Sequence, residues 1–385
     1  MPQDTIAISS KLLKELRESS GYTVESLAEE LHRSKDDIKE LESGRPISVK
    51  EMEKLASIYQ RPLTIFFNDE VPKIPSPQDY RINREKQLSP RVFLAERRAY
   101  YLAERISDLI EEKSRIPDYS EIKDPAGLAV RFRNHLLRGE DFEKVKPRTH
   151  LLQWYKDLLE NKLRIIVMEY ELSTDGSDDV RAFSLDSEIK VIVLNEKDQP
   201  AVRLFSLFHE VCHLISRQSG ICFPKERQSE KEKGEGPREE RFCDKFASKF
   251  LMPSADVDLQ VKTHPKRIDY GGMKKIAGYF GVSRQAMSIE LSERHLAKAL
   301  TYRDYEAKME EEDEEKEDKK EGDKKRGKKG GIRKGYWDDF FHNRVGNFAL
   351  RTIEKAYRDN RVSYRDAMDI TGLNSKYTNK FFGLE

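Results

Sequence analysis

Residues 204–216 read LFSLFHEVCHLIS, and the rest of the chain is best understood outward from them. His209 and His213 are four residues apart, so on a helix their imidazoles leave one face a single turn from each other. Two imidazoles so placed can grip one Zn²⁺. Glu210 lies about 100° further round, where it reaches a water at the metal instead of the metal itself. Leu204, Leu207, Phe208, Val211, Leu214 and Ile215 surround the three polar residues. A helix apolar on most sides is a buried one. Burying two histidines and a carboxylate without partners is costly, which favours a metal centre over a satisfied core pair. The bare H-E-x-x-H pattern also arises by chance, so its setting carries the inference.

A catalytic zinc takes three protein ligands and keeps one position open. Downstream, EERFCDKFASKFLMP (239–253) has the period of a second amphipathic helix. Phe242, Phe246, Ala247, Phe250 and Leu251 form its apolar stripe, and Pro253 stops it. Glu240 falls on the stripe side, with Cys243, Ala247 and Phe250 recurring at i+3, i+7 and i+10; Glu239 falls toward solvent. Two carboxylates opening a helix also complement its N-terminal dipole, so spacing alone leaves Glu240 between the two roles. Cys212 points away from the face the histidines share and reads as packing. Cys243 stands one turn beyond Glu240 and stays open as a soft ligand.

Upstream of the motif, LRIIVMEY (163–170), RAFSLD (181–186) and KVIVLN (190–195) are β-branched-rich runs between turn residues, which predicts a small sheet. Elsewhere the period is helical. Helices are expected at 90–112, with Phe93, Ala95, Tyr100, Ala103, Ile106 and Leu109 inward, at 125–138, at 148–160, and from Pro200 to Gly220. Residues 5–69 hold short helices with a tight break before Ser34, an N-cap followed three residues later by Asp37; Gly44 stops that helix. This is helix-turn-helix spacing.

The fold class expected is therefore mainly α with a small β-sheet (α+β). Residues 1–69 form a helix-turn-helix bundle, and 70–145 a linker and helical connecting region whose start holds four prolines (71–90). The metal-bearing domain spans 146–305, a charged disordered linker 306–335, and a C-terminal helical segment 336–385.

The 71 Lys and Arg nearly balance 70 Asp and Glu, so the chain as a whole is no polyanion binder. Cys212, Cys222 and Cys243 are odd in number and form no C-x-x-C pair, which points to a reducing compartment. No apolar run approaches eighteen residues and the N-terminus has no signal-peptide pattern, so a cytoplasmic protein with no membrane partner is expected.

With these motifs in place, KVIVLNEKDQPAVRLFSLFHEVCHLIS (190–216) together with 239–253 resembles the ImmA/IrrE-type metallopeptidases. In that family a strand and an asparagine precede the H-E-x-x-H helix, and the next helix carries E-x-x-A-N-x-F-A and ends in L-M-P. The match falls on Glu240, Cys243, Asp244, Phe246, Ala247, Leu251, Met252 and Pro253. The resemblance implies a zincin-like domain with Glu240, not Glu239, as third ligand. It also implies Zn²⁺ as cofactor, with Mn²⁺ as the alternative ion. Both motifs depart from the family, at two positions each: H-E-L-G-H is His-Glu-Val-Cys-His here, and A-N is Cys243-Asp244. Residues 27–67 are similar to the XRE-type helix-turn-helix that often precedes this peptidase, with Leu41 where its closing motif has an aromatic. Residues 364–382 look like the C-terminal segment of the same fused proteins. MKKIAGYFGVSRQAMSIELSERHL (273–296) is itself helix-turn-helix-like, and in the resembled family it belongs to the peptidase domain.

The resemblance implies a zinc-dependent endopeptidase whose substrate is a protein, typically a helix-turn-helix repressor cut at one or few bonds in a stress or mobile-element switch. DNA contact would run through residues 1–69, with Arg33, Ser34, Lys35 and Lys39 at the start of the reading helix. Charge opposes that last point. Residues 1–69 hold ten basic and thirteen acidic residues, and 34–43 two lysines against four acids. DNA binding needs phosphate neutralisation, so a protein-binding or dimerising role rivals it. The rival for the whole chain is an XRE-type DNA-binding regulator in which the peptidase-like domain is a sensor or an antitoxin-like partner-binding module.

Overall fold

The structure is a computed structural model that describes residues 5–71, 88–119, 121–172, 180–216, 221–222, 238–263, 268–295, 300–324 and 336–384. The front unit follows its apolar spacing. Leu12, Leu13 and Leu16 of α1 (Ser10–Glu18), Leu27 and Leu31 of α2 (Val24–Leu31), Ile38 and Leu41 of α3 (Lys35–Glu42) and Met52 and Leu55 of α4 (Val49–Tyr59) fill one cluster. Thr23 and Ser34 each close a capping box, Ser34 with Asp37 as the sequence predicts. His32, in the left-handed region at φ 55°, makes the sharp turn between α2 and α3. β1 (Thr5–Ile6) and β2 (Ile47–Ser48) add a short antiparallel ribbon.

The three predicted runs become β3 (Ile166–Tyr170), β4 (Ala182–Leu185) and β5 (Val191–Asn195). With β6 (Ile221–Cys222) they form a sheet of order β3-β5-β4-β6, in which β3 and β5 are parallel and the remaining pairs antiparallel. Side chains alternate across it. Val167, Ala182, Ile192 and Leu194 enter one core; Ile166, Met168, Phe183, Val191 and Val193 enter another.

The first core is roofed by α6 (Pro125–Leu136), α7 (Leu151–Leu158), α8 (Pro200–Ser216), α9 (Arg238–Leu251), α10 (Ser254–Lys262), α11 (Tyr270–Phe280) and α12 (Arg284–Glu293). Leu128, Ala129, Phe132 and Leu136 of α6 belong to it, although they precede residue 146, where the sequence reading starts this domain. The second core is built by α5 (Pro90–Leu109) with α14 (Tyr336–Val345), α15 (Asn347–Arg358), α16 (Tyr364–Thr371) and α17 (Ser375–Phe382). The C-terminal segment is thus the cover of the sheet's second face.

One expectation needs correction. The segment expected to be a disordered linker from 306 starts as a helix, α13 (Tyr302–Lys324). Tyr305 is buried in the first core, and Glu312 and Asp313 pair with Lys274 and Arg284. Those contacts fix its first turns despite the charge. Residues 325–335, and 72–87 of the proline-rich stretch, lie outside the described residues.

Buried charges lock the layers together. Glu169 on β3 takes hydrogen bonds from Lys156 (2.8 Å) and from Arg203 on α8, and Lys156 also reaches Asn343 on α14 (2.9 Å). Glu160 accepts the N–H groups of Val167 (3.1 Å) and Phe348 (3.2 Å), and burial pushes its carboxyl up to about 7. Gly346 crosses it at φ +85°, where a Cβ would stand 2.5 Å from Glu160 Oε1 and about as close as no side chain tolerates. No helix among the described residues is long and apolar enough to cross a membrane.

Candidate metal centre

Aromatic packing sets α8 against α9. Phe208, just before His209, stacks on Phe250 with ring centroids 3.9 Å apart, and Tyr155 meets Phe208 edge-on at 4.9 Å. Phe132 on α6 leans on both Phe246 and Phe250, and Arg133 donates to the Phe250 carbonyl at the C-terminal end of α9 (2.8 Å). Every apolar flank named from the motif is buried, as are His209, Glu210 and His213.

On this frame three side chains converge. The Nε2 atoms of His209 and His213 are 3.0 Å apart, and the Glu240 carboxylate places one oxygen 3.2 Å from the first and the other 3.3 Å from the second. Donors at about 2.0–2.2 Å from a tetrahedral zinc stand about 3.3–3.6 Å from one another, so the triangle fits that ion within a few tenths of an ångström. Glu239 is exposed. Both oxygens of Glu210 are buried and make no hydrogen bond among the described residues, although the side chain starts from the same helical turn. A carboxylate kept dry beside three converging donors is costly unless a cation or a polar substrate completes its surroundings.

The electrostatics agree. Burial alone would raise Glu240, but hydrogen bonds from both imidazoles hold its carboxyl far below the usual range. Burial opposes charge on His213, yet its hydrogen bonds with Cys243 and Glu240 push it well above an ordinary imidazole. The cluster demands positive charge, which a proton or a divalent cation can supply. Cys243 also lies within 4.8 Å of the histidine nitrogens. Burial lifts its thiol well above the ordinary value; Glu240, whose two oxygens stand 3.2 and 3.3 Å from the two Nε2 atoms, is the candidate third donor that the geometry favours. Cys212 is buried beside Cys243.

A residue the motif reading treated only as a departure takes a clear place. Asp244 Oδ1 lies 3.1 Å from His209 Nδ1. A carboxylate there keeps the proton on Nδ1 and leaves the Nε2 lone pair facing His213 and Glu240. The signal was available, since Asp244 sits four residues beyond Glu240 on the same helix face. Tyr279, by contrast, donates to Glu143 and packs on Phe142 and Arg148, a structural role.

The four candidate DNA contacts are exposed but engaged. Arg33 pairs with Glu51 (2.8 Å), Lys35 with Glu25 (3.0 Å) and Lys39 with Asp36 (3.2 Å), while Ser34 caps α3 through Asp37.

Residues 164–292 match the family model for the IrrE N-terminal-like domain, and residues 10–64 match one for a helix-turn-helix domain. The chain carries an IrrE N-terminal-like domain behind a helix-turn-helix domain. No curated protein matches the chain. The IrrE N-terminal-like domain so delimited runs from β3 to α12 and contains the three convergent residues His209, His213 and Glu240, together with Glu210 and Asp244. α6 lies before it in sequence yet packs on α9, so the domain's compact unit recruits a helix from upstream.

Proposed function

We propose that this protein is a zinc-dependent endopeptidase acting on a protein substrate, a helix-turn-helix repressor, with Mn²⁺ as the alternative ion. The observation that carries the reading is the triangle of His209, His213 and Glu240 with a buried Glu210 one residue along the helix, which makes no hydrogen bond among the described residues. His209, His213 and Glu240 would hold the ion, and Asp244 would orient His209. Zinc, when bound, polarises the scissile carbonyl and makes a water acidic enough to attack near neutral pH. Glu210 takes the proton from the attacking water and delivers it to the leaving amine. The surrounding apolar shell keeps other water out and strengthens each charge. A cytoplasmic setting belongs to this reading, because Cys212 and Cys243 are free thiols side by side.

The experiment is incubation of the zinc-loaded protein with a panel of purified helix-turn-helix repressors, reading new termini by mass spectrometry. Glu210→Gln should keep its zinc and lose about 10²- to 10⁴-fold in rate. New termini at an unchanged rate in Glu210→Gln refute the mechanism. The helix-turn-helix domain favours a second reading, a DNA-binding regulator whose IrrE-like domain senses metal or binds a partner by contact. It requires a stoichiometric complex without new termini.

A further inference from the structure

One turn occurs three times in this chain: a left-handed residue ends a helix, and two residues later a polar side chain caps the next. In the front unit, Thr23 caps α2, His32 turns left-handed nine residues later, and Ser34 caps α3. In the C-terminal segment, Ser363 caps α16, Gly372 turns left-handed at φ +69° nine residues later, and Asn374 caps α17. Ser363 closes a capping box with Asp366, as Thr23 does with Ser26. A preceding amphipathic helix, α15, completes the trio as α1 does in front: Tyr357 meets Phe382 at 5.6 Å and Arg358 caps the Phe382 carbonyl (2.7 Å). The third occurrence, with Gly281 and Ser283 between α11 and α12, is occupied: Arg284 at the start of α12 is held by Glu312 and Asp313 of α13.

We propose that α15–α17 is a second helix-turn-helix and the part of this chain that grips duplex DNA, with α17 as the helix facing the groove. Charge separates the two open copies. Residues 23–44 carry three basic and seven acidic residues, a net of −4; the equivalent 363–384 carry three and two, a net of +1. Helix α3 has four acids, whereas α17, SKYTNKFF, has two lysines and none. Asn374, Ser375, Lys376 and Lys380 are exposed along α17, while Tyr377, Thr378 and Phe382 face inward. Exposed lysines with short polar residues between them are what phosphates and base edges accept. In the sequence just before α14, residues 324–334 hold seven Lys or Arg and no acid. The unit is also rigidly mounted, since Arg98 on α5 donates to the carbonyls of Asp369 (3.2 Å) and Ile370 (2.5 Å) at the end of α16.

This inference is independent of the metal centre. Its test is fluorescence anisotropy of the full chain with a mixed-sequence 24-base-pair duplex, titrated from 50 to 200 mM salt. Lys376→Glu/Lys380→Glu should weaken binding about tenfold or more at the lowest salt, and the log–log salt slope should fall by about 1 per lysine removed. Lys380 also meets Asp338, so Lys376→Gln, which leaves that pair intact, must by itself lower the slope. Three results overturn the proposal: no duplex binding by the intact chain at 50 mM salt, unchanged binding in both C-terminal variants, or loss confined to Lys35→Glu/Lys39→Glu in the front unit.

Discussion

Replacing Asp244 by alanine should cut zinc affinity about 10- to 100-fold, roughly 1.4–2.7 kcal/mol, while leaving all three ligands in place. The magnitude comes from what the carboxylate does to His209. With Oδ1 at 3.1 Å from Nδ1, the ring proton is held on that nitrogen and the Nε2 lone pair is presented to the ion. Without the acceptor, the ring loses its fixed tautomer and must be ordered at the expense of binding energy. Asp244→Asn keeps an acceptor but not the charge, so its loss should be smaller, within about tenfold. Competition with a chromophoric chelator at neutral pH reads the affinity, and circular dichroism of the metal-free variants checks that α9 survives. The zinc-induced rise in unfolding free energy should shrink by the same amount, because it reports the same dissociation constant. If Asp244→Ala binds zinc as tightly as the parent while His209→Ala does not, the orienting role is wrong. If His209→Ala, Glu240→Ala and Asp244→Ala all keep full zinc stoichiometry, the centre itself is wrong.

Glu160 gives a pH-dependent prediction. Its folded carboxyl is raised from 4.5 to about 7, so the folded chain holds a proton the unfolded chain has lost, and stability falls as pH rises from about 4.5 to about 7. That window is worth about 3 kcal/mol, after which the loss is constant. Denaturant unfolding at several pH values should show this slope in the parent and not in Glu160→Gln; equal slopes would contradict it. Deleting residues 336–384 uncovers Ile166, Met168, Val191 and Val193, so the truncated chain should aggregate instead of remaining a soluble, shortened protein. Size-exclusion chromatography decides, and a monomer melting within a few degrees of the parent would refute the packing argument.

Much of this was legible because local chemistry and tertiary demand agree. The H-E-x-x-H helix is apolar on most sides and is buried from Ser206 to Ile215; the β-branched runs are strands; Ser34 and Asp37 make the cap that their spacing implies. What was hidden depends on long-range partners. The charged run after residue 306 looked unable to order, yet its first turns are held by Lys274 and Arg284, cations far back in the chain. Helix α6 shows an ordinary amphipathic pattern that says nothing of which core it enters. Glu240 could not be separated from a dipole-complementing acid by spacing, because only the fold brings it to within 3.3 Å of both imidazoles. The charge count of residues 1–69 did speak correctly for one thing: each basic candidate there is already paired with an acid of its own unit.

The sheet organises these parts by having two buried faces. One face carries the H-E-x-x-H helix, and the other carries the C-terminal helices, so neither layer can be removed without exposing the core it covers. Lys156 is where the two sides meet. It donates to Glu169 on β3 and to Asn343 on α14, and Glu169 in turn holds Arg203, six residues ahead of His209 on α8. Breaking one member of such a network leaves a buried charge unpaired, which costs several kcal/mol. The network therefore resists any sliding of α14 relative to α8. A C-terminal unit fixed in this way is a rigid extension of the IrrE-like domain, so whatever it binds is held at a set distance from His209, His213 and Glu240.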